Sequence, residues 1–435
     1  MDSIALPLVA AVVSLGLLVL SLYWRKRHRL LADTPTSKAQ GVFIGLVELK
    51  GTAECAAPLT SYLAQTPCVH YRWEVAERWS RTVTETVTVN GKTTTRTRRE
   101  SGWKTVAEGG ETTDFYLRDD TGHVLVRPAG AKLEPATLFA ETVTRGDALY
   151  YAKGPDGAVA HSDGVRRFTE TGLPLHAPLF VVGRARERAD VVAPEIAADK
   201  DAELFLISAR TEEKVVRGYG LASWVAWFFG LLVALGAALP FADSVNRELP
   251  VGPLLVAAAI FGALWLLGWL WMAYNSLVAL RERVRQAWSL IDVQLKRRHD
   301  LIPGLVAALT ALRDHEASLQ TALAALRAQA SATPPGVAGP DHHGLARELR
   351  VVAERYPELK SAPEFRRLAD ELVATEQRLA LARSYYNDIA THFATRLEIV
   401  PDRWVAALAR MQPAPLLGAS DFERAPVTVD FARSS

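Results

Sequence analysis

Cys55 and Cys68 are the only thiols in the chain. Two cysteines cannot complete the four-ligand set of a structural zinc site. They would pair in an oxidising compartment, whereas a reducing one leaves two free, half-buried thiols. The cytoplasmic placement argued below favours the second state. Two histidine positions invite inspection, His315 beside Glu316 and His342 beside His343. The second pair adjoins a loop-like stretch without carboxylate or thiol ligands at metal spacing, so solvated histidines are expected. Phosphate loops, dinucleotide glycines and nucleophile elbows do not occur. The expectation is therefore no catalytic residue, no cofactor and no metal.

Two charged runs remain. Arg25, Lys26, Arg27 and Arg29 follow an apolar stretch directly and are candidate contacts for lipid head groups. Asp292, Lys296, Arg297, Arg298 and Asp300 form a dense polar run on an otherwise apolar helix. Asp292 and Lys296 are four residues apart, a pair worth a few tenths of a kcal/mol on a solvated helical face. The alternative is a surface for a neighbouring subunit or partner. A straight helix rising 1.5 Å per residue carries this run about 36 Å beyond the preceding apolar stretch, too far to touch lipid.

Three stretches must position these groups. Ile4 to Trp24, Leu221 to Phe241 and Val251 to Met272 are free of charged residues. Each meets the roughly 20 mostly apolar residues that a bilayer span needs. Tyr23, Trp24, Trp224, Trp227, Trp269, Trp271 and Tyr274 lie toward their ends, as amphipathic rings at head-group level do. Only Met1, Asp2 and Ser3 precede the first span, whereas Arg25 to Arg29 follow it. The third runs into Arg281, Arg283 and Arg285, and the loop of residues 242–250 has no basic excess. Positive charge stays inside, so the N-terminus is expected outside and both soluble segments in the cytoplasm. A cleaved signal peptide carries its positive charge before the apolar run, not after it. Ionisable residues are absent from all three spans, which favours anchoring over transport. The net charge of +2 argues against a dedicated nucleic-acid binder.

After a basic linker at 25–40, residues 41–210 read as mostly strand. Val42 to Leu49, Val69 to Val75, Leu179 to Val182 and Leu204 to Ser208 are apolar or alternating. Thr82 to Val89 and Lys92 to Arg99 flank Asn90-Gly91, a strong hairpin signal. Asp114 to Leu117 and His123 to Val126 flank Asp119-Asp120-Thr121-Gly122, a second hairpin. The basic arm with Arg81, Lys92, Arg96, Arg98 and Arg99 reads as a hairpin edge kept soluble by charge, with anionic lipid heads as the other reading.

Residues 274–400 carry helical periodicity. Leu277, Leu280, Val284, Ala287 and Ile291 form one stripe, and Ile302, Leu305, Leu309, Leu312, Leu319, Leu323 and Leu326 a second. Phe365, Leu368, Leu372, Thr375, Leu379, Ala382, Tyr386, Ile389 and Phe393 form a third, close to a heptad. Pro303 predicts a break or a kink between the first two helices. Ser331 to Asp341 reads as a loop, and His343 to Tyr356 as a shorter helix. One apolar stripe per helix predicts an antiparallel bundle, followed by a tail at 401–435.

Pro58-Leu59-Thr60-Ser61, Thr66-Pro67-Cys68-Val69, Tyr71-Arg72-Trp73-Glu74-Val75 and Phe115-Tyr116-Leu117 resemble the GIDE domain, the membrane-flanked part of a mitochondrial RING ubiquitin ligase. Asp119 to Gly122, Val124 to Pro128, Glu170, Leu179 to Gly183 and Ile207-Ser208 extend that resemblance. Ligase activity there resides in a RING, whose two zinc ions need about eight Cys and His ligands that this chain lacks. Tyr274-Asn275-Ser276-Leu277-Val278, Ala287-Trp288-Ser289 and Ile291 to Arg298 resemble the LemA family. So do Asp300-Leu301-Ile302-Pro303, Ala353 to Lys360, Thr375-Glu376, Ala382-Arg383 and Tyr386-Asn387-Asp388, with Gly304 where the family usually has Asn. LemA resemblance implies a helical bundle at the bacterial inner membrane without established catalysis.

The expected fold is a multi-pass membrane protein with a β-rich α+β domain and an antiparallel α-helical bundle. The expected function is a non-enzymatic scaffold that self-associates or recruits protein partners at the inner face. An accessory role in a ubiquitin-ligase-like modification pathway and membrane remodelling by an oligomer are the alternatives. Membrane lipids and a second copy of the chain are the expected partners.

Overall fold

The computed structural model describes residues 2–89, 92–188, 193–200, 202, 204–243, 251–311 and 363–417. Its α-helices are α1 (Asp2–Ala32), α2 (Ala148–Ala152), α3 (Glu212–Asp243), α4 (Val251–Ala311), α5 (Pro363–Glu398) and α6 (Asp402–Leu408). The chain divides into two compact units, residues 36–217 and residues 1–35 with 218–435.

The first unit is β-rich. Strands β1 (Thr36–Ser37), β2 (Gly45–Glu54), β3 (Leu59–Thr60), β4 (Pro67–Val89), β5 (Lys92–Thr112), β6 (Phe115–Arg118) and β7 (His123–Val126) come first. They are followed by β8 (Lys132–Glu134), β9 (Ala136–Thr144), β10 (Ser162–Pro174), β11 (Pro178–Glu187), β12 (Pro194–Ala197) and β13 (Leu206–Ser208). The pairings β2–β6–β7–β12–β11 return to β2, closing a small barrel. Alternation explains its core: Phe115 and Leu117 of β6 point inward while Tyr116 and Arg118 face out. Val47, Leu49, Val124, Val126, Val181 and Ile196 fill the interior with them. Both expected hairpins form, Leu117 pairing with Val124 and Val89 with Lys92.

A second sheet, ordered β5-β4-β10-β9, curves into a half-barrel over Val75, Val143, Tyr150 and Phe168. Here the strands outrun the sequence reading. β4 is a single 23-residue strand, because its pairing with β5 continues without interruption from His70 to Val89 apart from one bulge after Val75. β10 stops pairing with β4 at Trp79, so β4 and β5 continue alone as a ribbon roughly 33 Å long at 3.3 Å per residue. On it Arg81 pairs with Glu100 at 2.9 Å, and Arg99 donates to the Ser80 hydroxyl at 3.1 Å. Two buried carboxylates hold the half-barrel. Glu170 accepts the backbone N–H groups of Tyr62, Leu63 and Ala64 at 2.8, 3.1 and 2.7 Å. Glu77 takes Arg166 at 3.1 Å and the Tyr150 hydroxyl at 3.0 Å.

The second unit is helical. α1, α3 and α4 each contain a stretch long and apolar enough to cross a membrane. α1 and α3 meet through small polar residues: Ser14 donates to the Gly230 carbonyl at 2.8 Å, and Ser21 and Ser223 donate to each other's carbonyls at 2.9 and 3.0 Å. A Cβ at Gly230 would press on Phe261 of α4 and Leu17 of α1, the close approach that small residues allow between apolar helices. α1 continues past Trp24 to Ala32, so the basic run lies on the helix rather than in the linker expected from residue 25.

α4 is 61 residues long and passes through Pro303 without ending, so of the expected break or kink the break does not occur. Proline forfeits one hydrogen bond and crowds the carbonyl four residues back. Here the Pro303 ring faces solvent while Leu301 and Leu305 are buried on either side of it, and their packing carries the helix onward. α5 packs antiparallel to α4: Leu368 lies against Gly304, Glu376 against Arg298 and Tyr386 against Trp288. The expected stripes are the buried ones. Leu277, Leu280, Val284, Ala287 and Ile291 face Phe365, Leu372, Thr375, Leu379, Ala382, Tyr386, Ile389 and Phe393. Leu312, Leu319, Leu323 and Leu326, the loop at Ser331 to Asp341, the helix at His343 to Tyr356, and His315, Glu316, His342 and His343 lie outside the described residues.

A buried ionic junction as candidate functional site

The charged groups that tertiary structure concentrates are not those that the sequence places side by side. α1 ends in Arg29, Leu30, Leu31 and Ala32, followed by Asp33 and Thr34. Leu31 is fully buried, and the Asp33 N–H returns to the Arg29 carbonyl at 2.9 Å. The helix end is thus embedded rather than solvated, and its polar groups need partners.

Those partners come from α4, α5 and α6. Arg396 Nη1 of α5 donates to both Asp33 oxygens at 2.8 and 3.1 Å. Ser276 of α4 adds a hydroxyl donor to Asp33 at 3.2 Å. Arg29 Nη2 donates to Asp402 Oδ1 at 3.0 Å, and Arg396 Nη2 meets the other Asp402 oxygen. Arg283 of α4 donates to Thr34 Oγ1 at 2.8 Å, and that hydroxyl donates to the Leu30 carbonyl at 2.6 Å. Arg29 also lies over the Trp269 ring, 5.6 Å from its centroid. Asp33, Asp402 and Arg29 are all less than a tenth exposed. Asp402 stands in the first turn of α6, where the helix dipole favours negative charge. Burial lifts the Asp33 carboxyl above its ordinary range, the Arg396, Ser276 and Arg29 groups opposing this only in part. The junction therefore bolts four helices together through charge-assisted hydrogen bonds, and any one lost partner leaves a buried charge exposed to apolar surroundings.

The sequence-predicted residues distribute differently. Arg29 is buried against Asp402 and Trp269 and is unavailable to lipid heads, because its guanidinium satisfies the acid at the start of α6. Arg25 and Arg27 are half-buried, lying over the rings of Trp224 and Tyr23 at 5.1 and 4.8 Å, and Lys26 is exposed. In the other run, Arg298 turns inward, 3.5 Å from Glu376, and leaves the proposed surface for the α4–α5 seam. Lys296, Arg297 and Asp300 are exposed and Asp292 half-buried.

The motif residues that looked most distinctive make internal contacts. Trp288 meets Tyr386 edge-on at 5.5 Å. The Tyr386 hydroxyl donates to the Pro415 carbonyl at 2.8 Å. Asn387 exchanges two hydrogen bonds with the Leu417 backbone, both 2.9 Å. Tyr386 and Asn387 thus hold the described part of the tail, residues 411–417, along α5. Sequence reasoning missed Asp33, Arg396 and Asp402 because their partners lie up to 373 positions away, and no local spacing links them. Among the described residues, no group of three or more His, Cys, Asp or Glu is arranged to hold a metal ion.

Neither the curated proteins nor the solved structures contain a match to this chain. Two family models do match: GIDE, described as E3 Ubiquitin ligase, from Thr84 in β4 to Leu239 in α3, and the LemA family from Ala287 in α4 to Phe431. The chain accordingly joins a GIDE segment to a LemA segment, the first taking in the end of β4 and the strands β5 to β13, the second the later part of α4 with α5 and α6.

Proposed function

We propose that the chain is a membrane-anchored, non-catalytic scaffold at the inner face of a bacterial cell membrane, which self-associates or recruits protein partners through its two soluble segments. The observation that carries this reading is the ionic junction. It fixes the α4–α5 pair to the end of α1 through Arg29, Asp33, Arg396 and Asp402, so the helical segment stands rigidly on its anchor instead of swinging from one helix. Three apolar helices support anchoring, and the basic residues that follow the first and third support an inner location. Lys296, Arg297 and Asp300 supply an exposed charged surface on α4 for a neighbour.

Sidedness is tested by an impermeant thiol reagent on intact cells carrying Ser244→Cys or Ser384→Cys. Labelling of the first with protection of the second is expected; the reverse pattern overturns the inner location. Self-association is tested by the mass of the full chain in nanodiscs, and a strictly monomeric particle at every concentration refutes it. The GIDE match favours a second reading, an accessory role beside a separate ubiquitin-ligase-like enzyme. In-cell crosslinking that recovers no protein-modification component refutes that role.

A further inference from the structure

The last described helix leaves a row of large apolar side chains in the open. Ile399 and Val400, in the turn before α6, are 50% and 56% exposed, Trp404 is 67% and Leu408 90% exposed. Trp404 and Leu408 are four residues apart and share one helical face. The opposite face, Val405 and Ala406, is buried. Contiguous apolar surface of this kind marks an interaction site in a folded protein.

What the buried face touches decides the partner. Val405 and Ala406 pack on Trp269, Met272, Ala273 and Leu277 of α4. These residues span about 12 Å along the helix axis at 1.5 Å per residue, where the third apolar stretch gives way to Arg281 and Arg283. Trp271 and Tyr274 stand in the same band of α4, 74% and 46% exposed. Just before them Leu267 is 63% exposed, so α6 lies at the level along α4 where the exposed apolar side chains of the span come to an end. Arg403 and Arg410 are exposed beside the apolar row. A face of Trp, Leu, Ile and Val rimmed by arginine is the composition of an interfacial helix. Asp402, held by Arg29 and Arg396, fixes the roll of α6, which keeps Trp404 and Leu408 pointing away from the bundle.

We infer that the Ile399–Leu408 edge is a membrane-surface foot, with Trp404 and Leu408 seated in the boundary between head groups and acyl chains of the leaflet that α4 leaves. This rests on the reading that the three apolar helices cross a bilayer. The foot gives the helical segment a second attachment to the membrane, beside its spans, at the level where the ionic junction locks it. A second copy of the chain is the competing occupant. The level of α6, beside the end of the apolar stretch of α4, and the arginine rim favour lipid.

The test is collision accessibility of nitroxide labels on the full chain in phosphatidylcholine–phosphatidylglycerol nanodiscs. Labels are placed singly at Leu408→Cys, Leu267→Cys and Val293→Cys in a Cys55→Ser background. Cys68 is fully buried, and burial pushes its thiol up to about 11, so it stays unlabelled. Leu267 reports the span. Val293, 59% exposed and about 32 Å beyond Met272 along the helix, reports water. The expected result is a Leu408 label that collides more with oxygen than with a water-soluble nickel chelate, at a ratio between those of Leu267 and Val293. A Leu408 label matching Val293, while Leu267 stays lipid-exposed, overturns the foot and leaves the spanning reading intact. A Leu408 label shielded from both reagents overturns it in favour of a second copy. A Leu267 label open to nickel removes the spanning reading and the foot with it.

Discussion

Replacing Asp402 by alanine isolates the ionic junction. Asp402 receives Arg29 on one oxygen at 3.0 Å and Arg396 on the other. Arg29 Nη1 already lacks a hydrogen-bond partner, and Arg29 is less than a tenth exposed. With the acid gone, two guanidinium groups face each other in a buried site whose remaining acceptor is Asp33. Removing one partner of a buried ion pair costs about 3–5 kcal/mol. Each tenfold change in an equilibrium corresponds to about 1.4 kcal/mol. Local opening of α6 and of the end of α1 is then expected to rise by roughly two to four orders of magnitude. Hydrogen–deuterium exchange of the full chain in nanodiscs reads this directly, in peptides covering 399–411 and 24–34. The double variant Arg29→Met with Asp402→Leu is expected to recover much of the loss, because an apolar pair of similar volume carries no buried charge. If Asp402→Ala leaves exchange in both segments unchanged, the junction does not hold the helices together and the reasoning fails.

Three further outcomes follow from other sites. Glu48 is fully buried, accepts the Thr36 hydroxyl at 2.6 Å and lies 3.8 Å from Lys50; burial raises its carboxyl from 4.5 to about 7. A raised folded value means the protonated form is the one the fold favours. Its contribution is complete below pH 4.5 and is lost as the pH rises through 7, a difference of roughly 3 kcal/mol; Glu48→Gln is expected to flatten the pH dependence of the β-sheet melting signal, and an unchanged profile refutes this. Arg298→Ala is expected to lower helical stability by about 1–3 kcal/mol while Lys296→Ala and Asp300→Ala stay within about 0.5 kcal/mol, since only Arg298 is buried in the α4–α5 seam; equal thermal shifts for the three would contradict that placement. Gly51→Ala would drive a Cβ into the Arg118 carbonyl across the β2–β6 pairing, so the barrel should lose more than about 1 kcal/mol, and a wild-type denaturation midpoint would show that the seam tolerates it.

What the sequence by itself determined was everything carried by short-range pattern. Charge-free apolar runs announced three helices that could cross a membrane, since length and composition alone set that property. The stripes from Leu277 to Ile291 and from Phe365 to Phe393 announced the faces buried between α4 and α5, because helical periodicity brings residues three and four apart together. Asn90-Gly91 and Asp119 to Gly122 announced hairpins, because turn chemistry is local. Tertiary structure alone decided the rest. Closure of the barrel required β11 to return to β2, pairing Val181 with Leu49. The passage of α4 through Pro303 required Leu301 and Leu305 to be buried. Arg29 and Arg298 read as surface charges until Asp402 and Glu376 arrived from distant segments. The physical reason is the same in each case. Whether a charge is solvated or buried depends on what packs over it, and packing joins residues whose distance along the chain carries no signal.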